Sequence, residues 1–332
     1  MKKWQKVWGI SFLMTLVLGV TLLTAGYVTG GLDDIKEMNA PKQESKTFQT
    51  IKSLDLDLMY RDLRIEESKD DKVHLSYYNG KYFIGQLKVT DNQGQLRLEQ
   101  KEGKQKIGGF LSLASFFLNV NDRYTDQTRI VLAVPKGAVI ERLSGELLNG
   151  DLEVSNQKIK ALDYSGSGEF VQTEIAGGRL VSSNALASFK SSQVSNLVWD
   201  LGETYGMVAG STLTDVKIPS SMNALQMTDS TLERVTISAE EAEVEGNNLT
   251  LKGQVTVSGE ETNVTMTLNP ASHKASSFDL SAPSGQLLVG QALTQGTKIK
   301  DSDGEVATFN KVVADEQASL KIAVSDGHVT VD

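Results

Sequence analysis

From Val7 to Leu32 no charged residue interrupts the chain, and Ile10 to Val28 is dense in Leu, Val, Ile, Phe and Met. Roughly 20 apolar residues cross the hydrocarbon core of a bilayer, so this run is long enough to span. Lys2, Lys3 and Lys6 precede it, whereas Asp33, Asp34 and Glu37 follow it. That asymmetry places the N-terminus in the cytoplasm and the body outside. Thr24-Ala25-Gly26 offers the alternative of a cleaved signal peptide. Against it, the run exceeds the roughly 7 to 15 residues of a signal core and no A-x-A site follows. Residues 1–32 therefore read as basic flank and anchor, and 33–47, with Pro41 and mixed charge, as a solvated linker.

Beyond the linker the pattern turns to period two: Leu54-Asp55-Leu56-Asp57-Leu58, Leu63-Arg64-Ile65-Glu66 and Val73-His74-Leu75-Ser76-Tyr77. Such alternation marks half-buried strands. Leu87-Lys88-Val89 and Leu96-Arg97-Leu98 flank Asp91-Asn92-Gln93-Gly94, the chemistry of a hairpin turn. Residues 48–130 are thus an N-terminal β region. It contains one element of another kind, Ile107 to Val120, apolar on nearly every side yet too short to cross a bilayer. Such a segment must be buried: either it caps an open core end, or it carries Phe110, Phe116 and Phe117 to the membrane or to a membrane partner.

Apolar residues three apart then recur: Ile140/Leu143, Ile159/Leu162, Ile175/Gly178, Val194/Leu197, Leu213/Val216 and Leu232/Val235, in steps of 19, 16, 19, 19 and 19. A fixed period near 20 is the signature of a solenoid, whose turns bury their apolar faces only against their neighbours. Helix caps and 3.6-residue spacing are missing from the stretch, and glycines punctuate it, so stacked β turns about 4.8 Å apart are expected. The short step is expected at Gly177-Gly178. Residues 131–270 form this solenoid and 271–332 a C-terminal β cap, in which Ser325-Asp326-Gly327-His328 reads as a second hairpin turn. The fold class is all-β: a β-solenoid-like (β-helix) ectodomain with antiparallel hairpins at both ends, preceded by one transmembrane helix.

Composition narrows the chemistry. There is no cysteine, which removes disulfides, thiolate metal sites, cysteine nucleophiles and a lipobox anchor. The formal net charge is −9, and since the three N-terminal lysines supply +3, residues 33–332 carry −12. An acidic body repels nucleic acid and attracts cations or cationic peptides. His74, His273 and His328 lie far apart without metal-ligand spacing. Asp301-Ser302-Asp303-Gly304-Glu305 lacks the remaining positions of a calcium loop and reads as an Asp-Gly turn. Glu240, Glu241, Glu243 and Glu245 are numerous enough for a glycosidase pair. Alternation of Glu241, Glu243 and Glu245, however, places three like charges on one strand face, the pattern of a solvated surface. No catalytic, cofactor-binding or metal residues are assigned.

Four features taken together resemble a bacterial domain-of-unknown-function family labelled "putative adhesin", found in Gram-positive envelope proteins. They are the anchor, the opening strands around Leu54-Asp55-Leu56-Asp57-Leu58, the segment Ile130-Val131-Leu132-Ala133-Val134-Pro135-Lys136-Gly137, and the glycine-punctuated repeat closing on Ser325-Asp326-Gly327-His328-Val329. The likeness covers roughly residues 48–332. It implies a β-solenoid-like fold and an envelope location, some relatives being tied to envelope-stress responses, and it brings no catalytic motif. The expected function is binding: stress sensing or regulation with a membrane protein partner or a cationic peptide, with the membrane lipid met through the N-terminal helix. An adhesin is the alternative, which the short linker and the lack of a wall-sorting signal at Asp332 disfavour; a polysaccharide-acting enzyme comes last.

Overall fold

The computed structural model describes residues 3–29, 41–80, 85–101, 127–182, 185–221, 224–293, 295–300 and 305–332. They fall into two compact units, one of Met1–Gln43, Tyr78–Gln86 and Lys101–Thr128, the other of Glu44–Tyr77, Leu87–Gln100 and Arg129–Asp332.

The first unit contains helix α1 (Lys3–Val28). Its stretch Val7–Gly26 is apolar and wholly unburied. The hydroxyls of Thr15, Thr21 and Thr24 donate to the carbonyls of Ser11, Val17 and Val20 at 2.8 Å each. These polar groups are thereby satisfied within the helix itself.

The second unit is a parallel β-solenoid. One full coil shows its construction: strands Gln193–Ser195, Leu197–Asp200 and Tyr205–Ala209 form three sides. The next coil repeats them as Thr212–Thr214, Lys217–Ser221 and Ala224–Thr228. The 19-residue repeat is the ladder register itself. Ile159 pairs with Ile175, Ile175 with Val194, Val194 with Leu213, Leu213 with Leu232 and Leu232 with Leu251. Val194, Leu213 and Leu232 are 1%, 0% and 0% exposed, so like residues stack in columns inside the coil. Aromatic rings add to the filling: Phe170 stacks on Phe189 at 5.2 Å, and Phe189 meets Trp199 edge-on at 4.9 Å.

The corners follow the same period. Gln172, Ser191, Gly210, Asp229 and Asn248 all have positive φ, as do Asn196, Asp215, Arg234 and Gly253 at a second corner. Left-handed backbone turns the chain sharply, and Asn, Asp and Gly adopt it most cheaply. Immediately after the first corner comes a buried hydroxyl column, Thr173, Ser192, Ser211 and Ser230. The Ser192 amide donates to Ser211 Oγ at 3.0 Å, and Ser211 Oγ donates to the Phe189 carbonyl at 3.1 Å. Thr173 and Ser230 continue the pattern. The Ser192, Ser211 and Ser230 hydroxyls each satisfy the buried amide of the preceding coil's corner, and the Thr173 hydroxyl donates to the Val154 and Val171 carbonyls.

Two expectations are corrected. The short coil loses its three residues not at Gly177-Gly178 but in Ser165–Gly168. Ser165 pairs with Val181 and Gly168 with Ala187, so two intervening residues stand opposite five. A loop between two sides can shorten without disturbing either ladder, whereas Gly178 is itself a ladder residue, paired with Leu162 and Leu197. Ser325–His328 is likewise no hairpin turn but a coil corner. The strands it joins, Ala318–Val324 and His328–Val331, pair in parallel with Gly253–Gly259 and with Val264–Met266 respectively. Antiparallel pairing at this end lies instead between Thr297–Lys300 and Val306–Lys311, and between Phe278–Ser281 and Thr308–Lys311. The N-terminal turn is as read: Gln93 and Gly94 both have positive φ, Asp91 Oδ1 accepts from the Gly94 amide at 2.9 Å, and Lys88 meets Glu99 across the turn at 3.0 Å.

Candidate binding surface

Outward side chains stack as regularly as inward ones. On one side of the solenoid the ladders align Arg97, Asp55, Ser144, Asp163 and Arg179 in a column, with Glu99, Asp57, Glu146, Ser165 and Val181 beside them. Between these rows runs an open groove of about 560 Å³, lined by Asp55, Asp57, Arg97, Glu146, Asp163 and Arg179 among others. Its floor includes Tyr164, which is 2% exposed. The Tyr164 hydroxyl donates to the Ser167 carbonyl at 2.8 Å. Burial, with Asp151 nearby, holds this phenol well above its ordinary pKa.

Ion pairs cross from coil to coil throughout this surface. Arg97 pairs with Asp55, and with Asp57 at 3.5 Å. Arg142 pairs with Asp163 at 2.5 Å, and Arg179 with Asp200 at 2.9 Å. At the second corner Arg234 grips Asp215 through two nitrogens, at 2.7 and 2.8 Å, and the pair lowers the Asp215 pKa while raising that of Arg234. All these groups are open to water, so each pair adds little stability. They do set charged side chains of both signs in fixed rows on the sheet, with Arg97 and Arg179 at the ends of one row and Glu99, Asp57 and Glu146 adjacent in the other. A glycosidase acid needs a carboxyl buried in apolar surroundings. Asp55 and Asp57, with side chains 41% and 55% exposed and both held by Arg97, offer the opposite setting.

The residues singled out from sequence do not converge. His74 meets Asp70 at 2.8 Å and Thr47 at 3.2 Å, lowering the Asp70 pKa. His273 Nε2 contacts the Leu268 carbonyl at 2.8 Å, and His328 is exposed at a corner. No group of metal-binding side chains occurs among the described residues. Glu241 does not share a strand face with Glu243 and Glu245; it occupies a corner with φ 49°, and the strand begins at Glu243. Residues 301–304 of the Asp-Gly turn lie outside the described residues, as does the whole of 107–120 with Phe110, Phe116 and Phe117.

Sequence reasoning missed Arg61, fully buried beside the core, where desolvation pushes its guanidinium down to about 10 against the pull of Tyr77. It also missed the Arg97–Asp55 and Arg97–Asp57 pairs, which join strands about 40 residues apart. Only alternation in both strands hinted that these charges face the same way.

No curated protein matches the chain. Among solved structures it is similar to a "putative lipid binding protein" from Parabacteroides distasonis ATCC 8503, at 13% identity over 88% of this chain and 98% of that one, with a TM-score of 0.41. A "putative adhesin" from Bacteroides fragilis NCTC 9343 gives 11% identity, 89% and 99% coverage and a TM-score of 0.37. A "putative cell adhesion protein" from Clostridium sporogenes ATCC 15579 gives 12% identity, 88% and 99% coverage and a TM-score of 0.25. The family model described as Toastrack DUF4097 matches residues 51–332, the whole solenoid from its first buried strand to its last, and the chain belongs to that family.

Proposed function

We propose that this chain is a membrane-anchored envelope protein whose solenoid lies outside the cell and acts by binding, sensing envelope damage together with a membrane partner. One observation carries the reading: an unburied apolar helix of spanning length, Val7–Gly26, with Lys2, Lys3 and Lys6 before it and Asp33 and Asp34 as the first charges after it, precedes a body built as a charged scaffold. The lysines orient the helix with its N-terminus inside. Cationic peptides that damage membranes accumulate at the surface where such a body is tethered, and a net charge of −12 over residues 33–332 favours their approach. Phe110, Phe116 and Phe117 are the residues proposed to meet the outer leaflet or the partner.

A deletion strain challenged with a cationic antimicrobial peptide tests this. The regulatory reading expects altered induction of envelope-stress transcription and unchanged attachment to surfaces. The reverse pair of results identifies an adhesin and overturns the regulatory role.

A further inference from the structure

The order of coils at the C-terminal end differs from the order of the chain. After strand Asn263–Leu268 the polypeptide passes through the short helix α2 (Pro270–Ala275) and builds Ser276–Ser281 and Gln286–Val289. These strands do not stack on Gly253–Leu268. The chain's last strands, Ala318–Val324 and His328–Val331, lie between, paired in parallel on both sides. Val257 pairs with Ile322 and Ile322 with Leu280; Val264 pairs with Val329 and Val329 with Leu287. Leu320, Ile322, Val324, Val329 and Val331 are at most 1% exposed, so the inserted segment supplies a full layer of core.

We infer that the space between the coil Gly253–Leu268 and the strands Ser276–Ser281 and Gln286–Val289 is a strand-acceptor site. It is filled in cis by the chain's own C-terminal strand pair and is able to take the same segment from a second copy of the chain.

Three observations support this. Both walls present parallel ladder edges one strand apart, so the site reads main-chain hydrogen bonds as strand addition does. The inward positions accept alternate apolar side chains, the pattern Leu320, Ile322, Val324 and then Val329, Val331. The corner admits glycine specifically: a Cβ on Gly327 (φ 129°) would stand 2.2 Å from the Thr262 carbonyl oxygen, and one on Gly285 would stand 1.7 Å from that of Gly327. An identical segment from another copy meets all three demands. The connection Val312–Gln317 is mostly exposed and leaves the fold at Val312, 79% exposed, so the segment is joined to the body by a surface hinge. Exchange of an identical element through such a hinge is a low-cost route to a dimer.

The test uses the full chain in detergent. A protease site inserted between Val313 and Ala314 is cut, and labelled peptide Gln317–Asp332 is added in excess. The cut chain should keep its own segment bound, then exchange it for the labelled peptide saturably. Ile322→Asp in the peptide should weaken capture roughly 100-fold or more. If the freed segment leaves while residues 276–289 stay protected from hydrogen exchange, or if no peptide is captured, the acceptor site is wrong. Deleting Ala314–Gln317 shortens the hinge so that cis closure fails. Two differently tagged copies of that variant, co-expressed, should then co-purify. Tagged copies that remain separate, whether folded or unfolded, overturn the second-copy occupant.

Discussion

Single residues show most clearly how the repeat becomes structure. Leu213 stands between Val194 and Leu232 in the ladder and is 0% exposed. Leu213→Asp buries a charge with no partner, a cost of several kcal/mol against a typical total stability of about 5 to 15. A soluble variant with an unchanged far-UV spectrum and melting temperature would remove the repeat's physical basis. Ser211→Ala deprives the buried Ser192 amide of its acceptor and should cost about 1 to 3 kcal/mol, read by denaturant titration. Gly145 has φ 107°, and a Cβ there would sit 1.9 Å from the Leu56 carbonyl oxygen. Backbone strain alone should make Gly145→Ala destabilising by roughly 1 to 3 kcal/mol.

Tyr164 gives a pH test. Its folded-state pKa lies above its unfolded value of about 10, so stability is fully present below pH 10 and falls as pH rises further, the unfolded chain losing the proton first. Tyr164→Phe should soften that alkaline loss in melting curves taken above pH 10. The buried leucine columns were legible at this scale because one residue class recurs at one spacing. The hydroxyl column was equally periodic, two residues ahead of Ile175, Val194, Leu213 and Leu232, and attention to apolar residues alone passed over it. Gly145 and Tyr164 carry no such signal, since each is needed only by its neighbours in space.

At the level of elements, sequence patterning identified strands and coils but not always their partners. Ser53–Met59 pairs on one side with Gln95–Glu99 and on the other with Arg142–Leu148. Nothing local encodes a pairing across about 90 residues. For the same reason Ser325–His328 looked like a hairpin turn: Asp-Gly between alternating runs suits a hairpin and a coil corner alike, and only the parallel neighbours on both sides separate them. The short coil was visible as a step of 16, but its position depended on knowing which residues are ladder and which are loop. The element 107–120 yields its own test. If Phe116 and Phe117 close a core end, replacing both with serine should cost about 3 to 5 kcal/mol per aromatic and lower the melting temperature sharply. The proposed membrane or partner contact expects an unchanged melting temperature with weaker binding to lipid vesicles; a double mutant unchanged in both assays would refute it.

For the whole molecule, the solenoid places corresponding outward positions in rows, turning a linear repeat into a charged surface. Where such a surface is presented decides what it meets. The account therefore rests on topology: α1 as a retained anchor with the lysines inside and everything after Asp33 outside. The most direct measurement is protease treatment of intact, wall-stripped cells carrying the full chain with an N-terminal tag. The account predicts that residues 48–332 are digested from outside while a short tagged membrane fragment survives. A body that stays protected until the membrane is opened would contradict it.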